Sequence, residues 1–147
     1  MSSHRQILYH IVFRTKDSKP VLIEANSTEL YKYIFGIIRN KNCNLYWING
    51  TEDHLHILTD LHPGISLADY VREIKVSASV WIKSKNIFPG FTGWAEGYCA
   101  FTYAYRDKNV IINYIKNQKE HHRKVTFQQE YISLLEEFGI SYDIRYL

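Results

Sequence analysis

Two short apolar runs, Asn44 to Ile48 and Leu55 to Leu61, flank the dipeptide Asn49-Gly50. Asn-Gly is a strong hairpin signal because both residues tolerate positive φ, so the two runs are predicted to pair as adjacent antiparallel strands. The hairpin is bracketed by helical patterns. Before it, Leu30, Ile34, Ile37 and Ile38 recur at helical spacing, in a helix expected to begin near Asn26 or Ser27 with Asn26 and Glu29 as a capping box. After it, Ser66 and Asp69 open a second helix whose apolar face is Leu67, Val71, Ile74, Ala78 and Trp81.

A strand from Ile7 to Arg14 precedes the first helix, with Leu8, His10 and Val12 alternating against Tyr9, Ile11 and Phe13. A fourth strand is predicted from Tyr98 to Tyr105, after the breaks at Pro89-Gly90 and Gly93. A helix is then expected over Lys108 to His122 with Asp107 as N-cap. A last one opens at Thr126 and Gln129 and carries Tyr131, Leu134, Leu135 and Phe138. The order β-α-β-β-α-β-α-α predicts an α+β, ferredoxin-like (RRM-like) antiparallel sheet. Two helices cover one face; the other is left for a ligand, the late helices, or both.

The 147 residues suit one domain, 1–147, with one sizeable core. No stretch is long enough to cross a membrane, and Met1 to Gln6 lacks the apolar block of a signal peptide, so a cytoplasmic location without a membrane partner is expected. Cys43 and Cys99 match no zinc spacing and read as buried free thiols. The net charge of +3 permits a nucleic-acid partner without demanding one. Tyrosines interleaved with cations, as in Tyr31-Lys32-Tyr33 and Tyr103-Ala104-Tyr105-Arg106, suit unstacked bases but equally suit strand and interface packing.

Within the second hairpin strand, His54 and His56 are separated by one residue and project to the same face. Two imidazoles side by side make half of a divalent-metal site, or simply two half-exposed surface histidines. On the late helix, Gln118 projects beside Ile111 in the stripe of Ile111, Ile112 and Ile115, and Tyr114 lies one turn before Gln118 at the stripe's edge. If that stripe packs on the histidine face, an amide oxygen and a phenol arrive beside the imidazoles. Taken singly, Gln118 is also a plain helix-surface amide and Tyr114 a boundary aromatic.

With His54-Leu55-His56, the preceding hairpin and the Tyr114-Ile115 to Gln118 spacing together, the chain resembles the single-tyrosine HUH transposases. That group includes the small insertion-sequence transposases and the REP-associated tyrosine transposases. Tyr9 to Thr15, Ile74 to Ser79, Trp94 to Tyr98 and Glu120 to Lys124 add to the resemblance, which covers nearly the whole chain in order. Asp17 and the bulky Phe101 to Tyr105 depart from it, which bears on DNA recognition.

The resemblance implies cutting and rejoining of single-stranded DNA that carries a hairpin, by a homodimer. His54, His56 and Gln118 would hold Mg²⁺ or Mn²⁺, and Tyr114 would attack to form a 5′-phosphotyrosine. Arg72, Lys75, Lys119 and Arg123 are candidate phosphate contacts, each also readable as an ordinary solvated charge; His121 and His122 could reach DNA or the groups around the metal and are read first as phosphate contacts or surface. The competing reading is a non-catalytic single-stranded DNA- or RNA-binding module of the same fold. A relaxase or replication initiator, and a two-histidine phosphodiesterase, fit less well. The first usually has extra domains or several active tyrosines, and the second needs a second histidine motif.

Overall fold

Alternation along the central strands decides the layering. The computed structural model describes residues 3–147; Met1 and Ser2, where the reading of the amino terminus starts, lie outside the described residues. β1 (Tyr9–Arg14), β2 (Leu45–Gly50), β3 (His54–Thr59) and β4 (Cys99–Phe101) form one sheet in the order β2-β3-β1-β4, with every pair antiparallel. With α1 (Glu24–Asn40) between β1 and β2 and α2 (Leu67–Lys85) between β3 and β4, this is the ferredoxin-like arrangement.

Val12 lies opposite His56, and His10 opposite Leu58, so directly paired residues share a face. On one side Ile11, Phe13, Leu55 and Ile57 meet Leu30, Ile34 and Ile38 of α1 and Val71, Ile74 and Ala78 of α2. Each of these side chains other than Ala78 stabilises the fold by roughly 1.5–3 kcal/mol on full burial. The opposite face is covered by the late helices: α3 (Lys108–Lys116), α4 (Gln118–His121) and α5 (Phe127–Glu137). Ile111 and Ile115 pack on Leu8 and Leu58, while Phe127, Leu134 and Leu135 pack on Val12, Cys99 and Phe101. The face left open by the sequence is therefore closed by the chain itself.

Several boundaries differ from expectation for identifiable reasons. α1 starts at Glu24 without a side-chain cap, because Asn26 instead donates to the Ile87 carbonyl at 3.0 Å and Ser27 to the Glu24 carbonyl at 2.8 Å. Asn49 and Gly50 stay in β2, paired with His56 and Leu55, and the chain reverses through Thr51 to Asp53. Gly50 is needed for a close approach: a Cβ there would lie 2.1 Å from the His54 carbonyl oxygen. β4 is only three residues long and gives way to a 3-10 turn over Tyr105–Asp107.

The single helix expected from Lys108 to His122 is broken at Asn117, and Asp107 makes no side-chain cap. Asn49 Nδ2 donates to the carbonyls of Ile115 and Lys116 at 3.0 and 3.1 Å, giving the last turn of α3 the partners that a continuing helix would have supplied. The capping boxes behave differently from one another. Ser66 accepts from the Asp69 amide, and Thr126 with Gln129 forms a full reciprocal box at the start of α5. Cys43 and Cys99 are buried free thiols. Among the described residues no helix is long and apolar enough to cross a membrane.

Candidate active site

The pleat of β3 turns His54 and His56 to the face under α3–α5, where both are fully buried. Each ring is anchored through Nδ1. His54 Nδ1 meets the Asp53 carboxylate at 2.7 Å and the Thr51 hydroxyl at 2.9 Å; Thr51 in turn donates to Asp53 at 2.9 Å. His56 Nδ1 lies 2.8 Å from Nε2 of His10 on β1, which is also fully buried. Both Nε2 atoms are left facing inward. This is the usual architecture of metal-ligating histidine, in which a partner on one nitrogen orients the other.

α3 and α4 bring the remaining pieces. Gln118, the first residue of α4, is fully buried and sets Oε1 3.1 Å from His54 Nε2. Tyr114, on the last turn of α3, lies edge-on to His56 with ring centroids 5.8 Å apart. The break at Asn117 does not separate them, since both side chains converge on one further residue.

That residue is Glu130, which the sequence reading missed. In α5 the positions Phe127, Glu130 and Leu134 form one stripe facing the sheet, and Glu130 is only 2% exposed. Its Oε1 is 3.1 Å from His56 Nε2, 3.4 Å from His54 Nε2 and 3.0 Å from His122 Nε2. Its Oε2 accepts from Gln118 Nε2 at 2.9 Å and from the Tyr114 hydroxyl. The Gln118 amide is thereby oriented, with nitrogen on the carboxylate and oxygen toward His54. A lone acid inside an apolar stripe was the available signal.

Charge follows this geometry. Burial opposes ionisation of Glu130, but bonds from His122, His54 and His56 outweigh it and hold the carboxyl well below its ordinary range. Burial pushes His56 down to about 4 and lowers His10 as well. Burial also works against charged His54, yet Asp53 and Glu130 outweigh it and raise its pKa. Burial and then the Glu130 charge raise the Tyr114 phenol far above its usual value.

The donor set fits a divalent cation. When His54 donates from Nδ1 to Asp53 and His56 donates to His10, the two Nε2 lone pairs face carboxylate and amide oxygens, an arrangement that asks for a cation between them. Two imidazoles with neutral and anionic oxygens suit manganese, and also magnesium as the more abundant hard ion. Independently, ligand atoms of His54, His122 and Glu130 all lie within 4.8 Å of one another. His121 Nε2, 3.4 Å from Glu130 Oε2, is buried without a hydrogen-bond partner. His121 and His122 thus both border this cluster, with the His121 side chain still 33% exposed.

Two clefts that share Val125 in their lining reach the cluster. One of about 340 Å³ is lined by Tyr114, Tyr103, His121 and Glu130; the other, of about 570 Å³, by His122, Asp53, Lys119 and Arg123. The four candidate phosphate contacts divide accordingly. Lys119 and Arg123 border the second cleft, with Arg123 also 3.2 Å from Glu120. Arg72 and Lys75 are on α2, across the sheet from the histidines. There Arg72 pairs with Asp69, and the Lys75 ammonium donates to the Ala95 and Gly97 carbonyls at 2.8 Å each. Lys75 thus ties down the 95–97 loop. Tyr33 stacks on Trp81 between α1 and α2 and serves packing, while Tyr103 packs on Phe138 and also lines the first cleft.

Solved structures share the fold. A candidate transposase from Deinococcus radiodurans R1 is 24% identical, with a TM-score of 0.62 over 80% of this chain and 98% of its own. A REP-associated tyrosine transposase bound to a REP hairpin is 17% identical, with a TM-score of 0.62 over 85% of this chain and 76% of its own. No curated protein matches the sequence significantly. The profile of the family described as "Transposase IS200 like" matches residues 3–118, from before β1 through Gln118, and the chain belongs to that family of transposases.

Proposed function

We propose that the chain, acting as one HUH domain over 1–147, cuts and rejoins single-stranded DNA through a covalent 5′-phosphotyrosine on Tyr114. The observation that carries this reading is the convergence of the Tyr114 hydroxyl, both histidine Nε2 atoms and the Gln118 amide within one buried cluster of a single chain. His54, His56 and Gln118 would hold Mg²⁺ or Mn²⁺. When bound, the ion supplies Lewis acidity to the scissile phosphate and favours the phenolate over the phenol.

The chain's own groups do the rest. A phosphate presented from the 340 Å³ cleft meets Tyr114 on the cleft wall. The Tyr114 hydroxyl proton is held at Glu130 Oε2. Attack passes that proton to Glu130, forms the bond between the tyrosine oxygen and phosphorus and breaks the bond to the 3′ oxygen, which takes up a proton from Glu130 or solvent and leaves as a free 3′-hydroxyl. The phosphotyrosine keeps the energy of the phosphodiester, so a second 3′-hydroxyl can reverse the step and join new ends.

A single-stranded substrate follows from access, because the width and stiffness of duplex DNA keep its backbone from entering a narrow cleft. The fold shared with a hairpin-bound REP transposase supports a hairpin beside the cut. The homodimer rests on the resemblance alone. The Tyr114 ring 5.8 Å from that of His56 in the same chain supports attack in cis.

The test is incubation with labelled single-stranded DNA containing the hairpin that flanks its gene, with Mn²⁺ or EDTA, resolved on a denaturing protein gel. The expected result is a metal-dependent adduct that is lost in Tyr114→Phe and in His56→Ala. DNA binding without metal dependence and without an adduct would falsify the transposition chemistry and favour a binding module.

A further inference from the structure

We propose that Glu130, on the helix beyond the family-matched segment, is a direct ligand of the divalent ion and completes a four-residue centre with His54, His56 and Gln118. This rests on the reading above that the histidines hold a metal, and it extends that site to a residue contributed by α5.

The argument is one of converging lone pairs. Glu130 Oε1 is 3.1 Å from His56 Nε2 and 3.4 Å from His54 Nε2, and Gln118 Oε1 is 3.1 Å from His54 Nε2. Neighbouring ligands of an octahedral ion held at about 2.1 Å stand roughly 3 Å apart, and these three spacings match that separation. With an ion, both rings are satisfied as neutral ligands whose Nδ1–H groups go to Asp53 and His10.

The carboxylate is also held as a ligand should be. His122 Nε2 at 3.0 Å fixes Oε1 from behind, and Gln118 Nε2 with the Tyr114 hydroxyl fixes Oε2. Leaving a buried carboxylate short of positive charge is costly, and a cation among the imidazoles supplies that charge. One side chain would thereby set the distance between ion and nucleophile, with one oxygen serving each.

The experiment is Mn²⁺ titration of the metal-free full-length protein without DNA, followed by the electron paramagnetic resonance signal of free Mn²⁺. The wild type is expected to bind one ion. Glu130→Gln keeps the volume and a neutral oxygen but should weaken binding at least tenfold, and His54→Ala should lose it. Glu130→Asp, which withdraws the carboxylate by one methylene, should weaken binding at least threefold and serves if Glu130→Gln does not fold. Unchanged or tighter binding in Glu130→Gln, with binding lost in His54→Ala, overturns the ligand role and leaves the histidine site standing: the carboxylate would then be a plug competing with the ion. Absence of Mn²⁺ binding by the wild type overturns both. Unchanged affinity in Glu130→Asp likewise overturns the proposal.

Discussion

Ile11, Phe13, Leu55 and Ile57 leave the sheet on one side, and His10, Val12, His54 and His56 leave the same two strands on the other. Both sets are buried, yet they are buried by different means. The first packs on α1 and α2 through apolar contact, aliphatic and aromatic. The second lies under helices whose buried face includes Gln118 and Glu130, so its imidazoles are matched by hydrogen bonds. An apolar face tolerates approximate partners of the right volume, whereas a polar face requires each buried nitrogen and oxygen to meet a particular group. One side of the sheet thus carries stability, and the other gives up some of it to hold a reactive cluster.

The largest effect expected from this division is on stability. Ile57→Ala leaves a cavity against α1 and α2 and should cost about 2–5 kcal/mol in urea unfolding. Mn²⁺ affinity of the folded protein should stay within twofold of wild type. A large loss of affinity would show that the two faces are not separable.

Next is an acid response specific to the histidine face. His56 has a folded pKa of about 4 against an ordinary 6.5, because burial disfavours its charge. Between those values the unfolded chain binds the proton and the folded chain resists it, so stability is present at neutral pH and lost as pH falls from about 6.5 toward 4. The loss is on the order of 3 kcal/mol. His54 has the opposite sign: its raised pKa contributes stability that is complete below its unfolded value and is lost as pH rises through the folded one. Urea unfolding of metal-free protein at pH 7 and pH 4.5 should therefore show a smaller drop in His56→Asn than in wild type. Equal drops would remove His56 from the account.

The same division explains what could be read from the sequence. Period-two alternation and helical stripes placed β1, β3 and the faces of α1 and α2, because aliphatic packing leaves a periodic trace. The histidine pair, Tyr114 and Gln118 were legible through spacing, and the structure brings them together even though their helix breaks at Asn117. The break itself was not legible, since it depends on Asn49 reaching across from β2. His10 read only as one member of an alternating strand, and its role needs the register that sets β1 beside β3. Glu130 lies 74 residues from His56, and no local rule joins them. Its only trace was an acid where a helix should be apolar.

Gly50 is where the two faces meet in one backbone contact. Gly50→Ala would set a methyl carbon against the His54 carbonyl and close to Leu55, forcing the start of β3 to shift. A cost of roughly 1–3 kcal/mol is expected from the overpacking. Because the shift begins at a proposed ligand, Mn²⁺ affinity should fall along with stability, unlike in Ile57→Ala. Loss of stability with affinity intact would show that β3 can yield on its helix side alone.

The smallest effect sharpens the comparison on the side of α5. Thr126 accepts from the Gln129 amide at 3.1 Å, and Gln129 returns a bond to the Thr126 amide at 2.8 Å, at the start of the helix that inserts Glu130. Thr126→Ala removes half of this box and should cost about 1 kcal/mol. The apolar contacts of Phe127, Leu134 and Leu135 with the sheet remain, so the helix should stay docked in most molecules and only its first turn should fray. Hydrogen exchange should then quicken at the amides of Gln129 and Glu130 while those of α1 and α2 keep their wild-type rates. If exchange quickened equally in α1, the two layers would unfold as one unit, and the separation drawn between them would hold for chemistry but not for stability.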